Sequence, residues 1–229
     1  MRKPNVKSVV VLCVLLATIM LTASTAAFAA TPGGWSVSKA GYSFLSTSQK
    51  KIFNRATKKL TGVSYQPVAL LAKQTVAGTN YVFLCQGKTV TTKTTRAWYI
   101  LTAFQSLKNK ISLKSVKKID IGKIKTGDNP RSATPDGGLQ IVNIKNKSAA
   151  LSKSVRKVFR KGIENYVGYD FRPVALLGTQ VVSGRNYRFL CYGTGHAGSD
   201  LCVLDIYQNT KGTCSLESCR ALALEEYVG

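Results

Sequence analysis

The single histidine of this 229-residue chain, His196, follows Cys191 closely in the run Cys191-Tyr192-Gly193-Thr194-Gly195-His196. A thiol beside an imidazole base is the pairing a nucleophilic hydrolase needs. Both residues fall on one hairpin here, and a sister segment around Cys85 has the cysteine without the histidine. His196 is therefore expected on a loop, and the chain is not expected to be an enzyme. One histidine and scattered cysteines lack the paired spacing of a metal site. The helix that must follow a phosphate-binding glycine loop is missing after Gly193-x-Gly195. No metal or cofactor is expected.

The sister segment is part of a long internal repeat. Tyr65 to Gly87 reads YQPVALLAKQTVAGTNYVFLCQG, and Phe171 to Gly193 reads FRPVALLGTQVVSGRNYRFLCYG. Fourteen of these 23 positions are identical at a constant offset of 106. The match extends back through Lys51-Ile52-Phe53 and Lys157-Val158-Phe159. It extends forward, with a short loop deletion, through Phe104-Gln105 and Tyr207-Gln208 and then Ser112-Leu113 and Ser215-Leu216. Gly33-Gly34 is echoed by Gly137-Gly138. Each repeat reads as a whole domain, over residues 31–121 and 137–229. The stretch 122–136, rich in Gly, Pro, Ser and Asp, reads as a linker.

The elements of one repeat follow from local signals. Ser46-x-x-Gln49 is a capping box, and Ile52, Phe53, Ala56 and Leu60 follow at helical spacing. Val155, Val158, Phe159 and Tyr166 form the same stripe in the second copy, and Gly62 and Gly168 mark the helix ends. A β-rich run leads into alternation at Tyr81, Phe83 and Cys85 and at Tyr187, Phe189 and Cys191, each set on one strand face. Cys85 and Cys191 read as buried core thiols. Two further strands, about Arg96–Phe104 and Ile111–Ile121, flank a polar loop. Pro67 and Pro173 within the first long strand call for an edge or a bulge. One apolar helix stripe and one apolar sheet face predict an α+β domain in which an antiparallel sheet of about four to five strands wraps around one helix.

The N-terminus carries Arg2, Lys3 and Lys7, an apolar run from Val9 to about Leu21, and Ala27-Phe28-Ala29. That is the pattern of a secretory signal peptide over residues 1–29. The apolar run is shorter than the roughly 20 residues a membrane span needs. A secreted, extracellular monomer without a membrane span is expected. Net charge is +23 for the whole chain and falls to +20 once the three leader cations are removed. Residues 31–130 carry +15 of this and residues 131–229 carry +5. Such a surface attracts polyanions such as cell-wall polymers or glycosaminoglycan. Five cysteines follow the leader, so at least one thiol has no partner within the chain.

The segments Gln74-Thr75-Val76-Ala77-Gly78 and Gln180-Val181-Val182-Ser183-Gly184 each precede x-Asn-Tyr. They resemble the QxVxG hairpin of cystatins, and they occur twice, each after a helix and a long strand, with glycines near the start of each repeat. The resemblance implies two tandem cystatin-like domains that block papain-like cysteine proteases with a three-part wedge. The wedge would comprise Gly33, Gly34 and Trp35, the hairpin Gln74 to Gly78, and Leu107 in the last loop. In the second copy it would comprise Gly137, Gly138 and the hairpin Gln180 to Gly184. Gly78 and Gly184 allow a tight turn, and Thr75, Val76 and Ala77 are small enough to approach cleft walls. Trp35 fits either a substrate-like pocket or its own domain. The last loops, Ser106–Lys110 and Asn209–Gly212, lack the Pro-Trp pair of many cystatins, and only Leu107 is apolar. That leaves a second reading, a non-inhibitory binding module for cell-surface or extracellular polyanions. The last hairpin turns near residues 210–211, so Cys202 and Cys219 lie roughly opposite each other, approximating the cross-strand disulfide of cystatins.

Overall fold

The computed structural model describes residues 34–37, 45–92, 94–122, 138–144, 151–195 and 198–228. The leader, Gly33, most of the linker, Gly137 and His196 lie outside the described residues.

The first repeat begins with a short strand β1 (Trp35–Val37) and a helix α1 (Thr47–Thr57), followed by β2 (Val63–Val76), β3 (Gly78–Thr89), β4 (Arg96–Ser106) and β5 (Ile111–Ile119). The second gives β6 (Gln140–Ile141), α2 (Lys153–Ile163), β7 (Asp170–Val182), β8 (Gly184–Gly195), β9 (Gly198–Asn209) and β10 (Cys214–Ala221), then a 3₁₀ turn at Leu224–Glu226. Both sheets are antiparallel, ordered β1-β2-β3-β4-β5 and β10-β9-β8-β7-β6.

Local signals account for the helices. The Ser46 hydroxyl accepts from the Gln49 amide at 3.2 Å, and the Ser46 amide donates to Gln49 Oε1 at 2.8 Å. This reciprocal cap satisfies two donors that a helix start otherwise leaves open. Ser152 caps α2 through the Val155 amide. Ile52, Phe53 and Ala56 are buried, as are Val158 and Phe159. Both helices stop short of their glycines: Gly62 and Gly168 take φ of 80° and 94° in the turns that follow. Tyr166 lies beyond the end of α2 and packs its ring on Phe171. The prolines sit at bulges, since register shifts fall between Pro67 and Ala69 and between Pro173 and Ala175.

The α+β expectation, with each sheet wrapped around one helix, does not hold. The described residues are mostly β, with 57% strand and 15% helix, in two five-stranded sheets. The physical reason is the second face of each sheet. Ala69, Leu71, Val82, Leu84, Trp98 and Ile100 of the first repeat join Ala175, Leu177, Leu190 and Val203 of the second in one buried cluster. Burying this apolar area favours stacking sheet on sheet over leaving either face in water. The described residues of both repeats accordingly form one compact unit.

Most polar side chains inside the seam find partners, several of them across it, while the Thr102 hydroxyl is buried without one. The Trp98 indole donates to the Leu177 carbonyl at 2.7 Å, and the Tyr192 hydroxyl to that of Leu70 at 2.6 Å. Gln86 Nε2 donates to the Val142 carbonyl, while its Oε1 accepts from the Ile144 amide. Arg188 grips Asp205 with two bonds, Nε to Oδ1 at 2.7 Å and Nη2 to Oδ2 at 2.8 Å. Its Nη1 donates to the Ile121 carbonyl, and Ser218 Oγ adds a bond to Asp205. Removing one partner of such a buried pair strands the other charge. Asp205→Ala is therefore expected to cost about 3–5 kcal/mol in urea denaturation, and the double change Arg188→Met with Asp205→Leu to recover most of it.

Candidate functional site

Each sheet brings three separate chain segments to one edge. In the first, β1 lies against the end of β2, with Trp35 opposite Gln74 and Ser36 opposite Lys73. The β2–β3 hairpin turns at Ala77, and Gly78 lies opposite Ser106 at the start of the β4–β5 turn. That turn is closed by the Ser106 amide to the Lys110 carbonyl and the Asn109 amide to the Ser106 carbonyl. Thr75, Val76, Ala77 and Leu107 are exposed, Leu107 by 81%. Gly34 is exposed, whereas Trp35 is half-buried and packs on the shared core.

The second edge repeats this arrangement. Gly138 is exposed just before β6, where Gln140 lies opposite Thr179. Val181 and Ser183 are exposed at the hairpin, with Gln180 and Val182 half-buried. The neighbouring turn, Asn209 to Gly212, is fully polar: Asn209 Oδ1 accepts from the amides of Lys211 and Thr213. Val181 is therefore the main apolar feature of this edge, with no counterpart to Leu107.

Both hairpins are held by partners outside the five-residue motif. Asn80 Nδ2 donates to Gln74 Oε1 at 2.6 Å, and Asn186 Nδ2 to Gln180 Oε1 at 3.2 Å. The motif glutamine thus clasps the opposite strand, a role whose sequence signal was the asparagine kept at both copies. The glycines have a steric reason as well. A Cβ at Gly78 would lie 2.4 Å from the Gln105 carbonyl oxygen and 2.7 Å from the Phe104 ring, with φ at 140°. A Cβ at Gly184 would meet the Gln208 carbonyl oxygen at 2.4 Å and the Tyr207 ring. Tyr207 also donates its hydroxyl to the Ser183 carbonyl at 3.0 Å. An aromatic ring thus lies across each glycine and stiffens the tip.

The two edges point to opposite ends of the molecule. Trp98 and Ile121, far from the first hairpin tip, contact Leu177 and Arg188 near the second. Tyr192, far from the second tip, reaches back to Leu70. The seam thus stacks the sheets head to tail.

All five described thiols are unpaired. Cys85 and Cys191 are fully buried, and burial pushes both thiols up. Cys191 lies directly opposite Cys202, and Cys219 opposite Leu204, one step along the same face. Cys202 and Cys219 hydrogen-bond each other, and burial first, then the Cys219 thiol, pushes Cys202 up to about 12.

No protein-family model and no curated protein matches the chain. Among the described residues no helix is long and apolar enough to cross a membrane.

Three outcomes follow. Gly78→Val should force Phe104 aside and cost about 1–3 kcal/mol in thermal or urea denaturation, with Gly184→Val behaving alike. Oxidation should join Cys202 to Cys219, read by mass mapping of the non-reduced protein; a Cys191–Cys214 link or five free thiols would overturn this. In the reduced protein, Cys202 should resist alkylation at pH 8, because its thiolate is scarce there. An unfolded chain ionises that thiol from near its ordinary value of 9, so the native state loses stability as pH climbs from there towards about 12.

Proposed function

We propose that this chain is a secreted inhibitor of papain-like cysteine proteases that docks each hairpin edge into an active-site cleft. The observation that carries the reading is the convergence of three segments at one rigid edge, with small or apolar tips exposed. For the first edge these are Gly34, Val76-Ala77 and Leu107. The resemblance of both QxVxG hairpins to those of cystatins supports the same reading.

The physics of such a block is simple. The tip is already ordered by the Gln74–Asn80 clasp and the Phe104 ring, so little chain entropy is lost on docking. A β-turn without large side chains enters a narrow cleft, and no peptide bond is offered in the reacting register. Binding then rests on burying Val76, Ala77 and Leu107 from water. The second edge has Val181 but a polar last turn, so it is the weaker of the two.

The test is titration of the intact chain against papain with a fluorogenic peptide. Two enzyme molecules should bind per chain at saturation, because the edges face opposite ends. Leu107→Ala should weaken the tighter site by about 10- to 200-fold, the worth of one buried side chain at roughly 1–3 kcal/mol. Gly78→Val should abolish that site and leave the weaker one, and Gly184→Val should do the reverse. Absence of inhibition at micromolar concentration would reject the proposal.

A further inference from the structure

A second feature is duplicated, and it lies on the helix side of each sheet. Between α1 and the tip-proximal ends of β2, β3 and β4 runs a groove of about 470 Å³ lined by Lys51, Arg55, Lys73, Ser48, Tyr81 and Gln105, among others. The corresponding groove beside α2, about 540 Å³, is lined by Lys157, Lys161, Arg185, Ser154, Tyr187 and Gln208. Neither lining includes an acidic side chain.

The floors share one construction. Tyr81 donates its hydroxyl to Gln105 Oε1 at 3.1 Å, and Tyr187 to Gln208 Oε1 at 3.2 Å. Gln105 Nε2 passes the chain on to Asn109 Oδ1 at 3.0 Å. Apolar side chains, Ile52 in one and Val158 in the other, complete the wall. Lys73 lies over the Tyr81 ring, 5.5 Å from its centroid. Lys161 reaches the Gly212 carbonyl at 3.4 Å, which draws its ammonium towards the last turn.

Each groove holds three cations in both repeats. Outside them the pattern is mixed: Lys58 and Lys59 become Glu164 and Asn165, and Lys114 and Lys118 become Glu217 and Ala221, while Lys50 stays basic as Arg156 and Lys117 as Arg220. Inside, Lys51 stays as Lys157 and Arg55 as Lys161. Lys73 becomes Thr179, but Thr79 becomes Arg185, so a third cation returns from the neighbouring strand. Three cations per groove survive a divergence that removed two thirds of the net charge.

We infer that each groove binds a sulfate or phosphate group carried on a polyhydroxylated polymer. Three cations without a competing carboxylate favour a multiply charged oxyanion. The hydroxyl and amide groups of Ser48, Tyr81 and Gln105 match the hydroxyls of the chain that bears it. This site adjoins the docking edge at the last turn, through Gln105 and Asn109, but its cations lie outside the hairpin tip and the inference does not depend on the inhibitor reading.

The test uses the intact chain with two probes, a heparin hexasaccharide for sulfate and a short poly(glycerol phosphate) for phosphate, by calorimetry at fixed salt. Two sites per chain are expected for whichever probe binds. The double change Lys51→Glu with Arg55→Glu should remove one site, and adding Lys157→Glu with Lys161→Glu should lower overall affinity at least about tenfold. Lys58→Glu with Lys59→Glu, which alters net charge equally, should shift affinity less than about twofold once salt screens the distant charges. Circular dichroism checks that each variant is folded. Binding of only heparin or only poly(glycerol phosphate) identifies the group and supports the inference. Binding of neither, or an equal loss in the Lys58 and Lys59 control, overturns it. Loss of papain inhibition without loss of polymer binding would reject the protease reading alone.

Discussion

The constraint on which the rest of the structure depends is that each sheet has two apolar faces. One helix covers one face of each. The faces left over, centred on Leu84 and Trp98 in one sheet and Leu177 and Leu190 in the other, exclude water only by meeting each other. An unpaired buried polar group costs about 1–3 kcal/mol, and apart from the Thr102 hydroxyl the large polar side chains of the seam find partners there. Trp98, Tyr192, Gln86 and Arg188 all do so on main-chain atoms of the opposite repeat. The seam therefore fixes the relative orientation of the sheets as well as their association.

Orientation has a functional consequence. Because the sheets stack head to tail, the hairpin tips diverge, and a partner docked at one edge leaves the other open. The duplicated grooves lie on the outer, helix-bearing faces, away from the seam. The grooves adjoin the edges, sharing Asn109 of the first last turn and Gly212 of the second.

The two copies also show how one scaffold position is filled in different ways. Val82 and Thr102 in the first sheet correspond to Arg188 and Asp205 in the second, so a bidentate ion pair in one copy faces an uncharged pair in the other. Arg188 gives its third hydrogen bond to the carbonyl of Ile121, just past the end of β5. The pair ties the exit of one repeat to the interior of the next.

Much of the local structure was legible in the residues themselves. The Ser46 and Gln49 cap, the buried stripe at Ile52, Phe53 and Ala56, the prolines at bulges and the glycines at the hairpins all follow from short-range sterics and hydrogen bonding, which a few neighbouring residues contain in full. The repeat supplied the residues of both edges. What the sequence left open was the far side of each sheet. Alternation identified Tyr81, Phe83 and Cys85 as a buried face, but Val82, Leu84 and Gln86 between them were read without a covering layer, and the α+β expectation followed from that. A strand buried on both faces loses its alternation, and nothing local says whether the second cover is a helix, a sheet or another chain. The Arg188 bond to Ile121, the Trp98 contact and the opposed directions of the two edges were decided only when residues more than 60 positions apart met in one core.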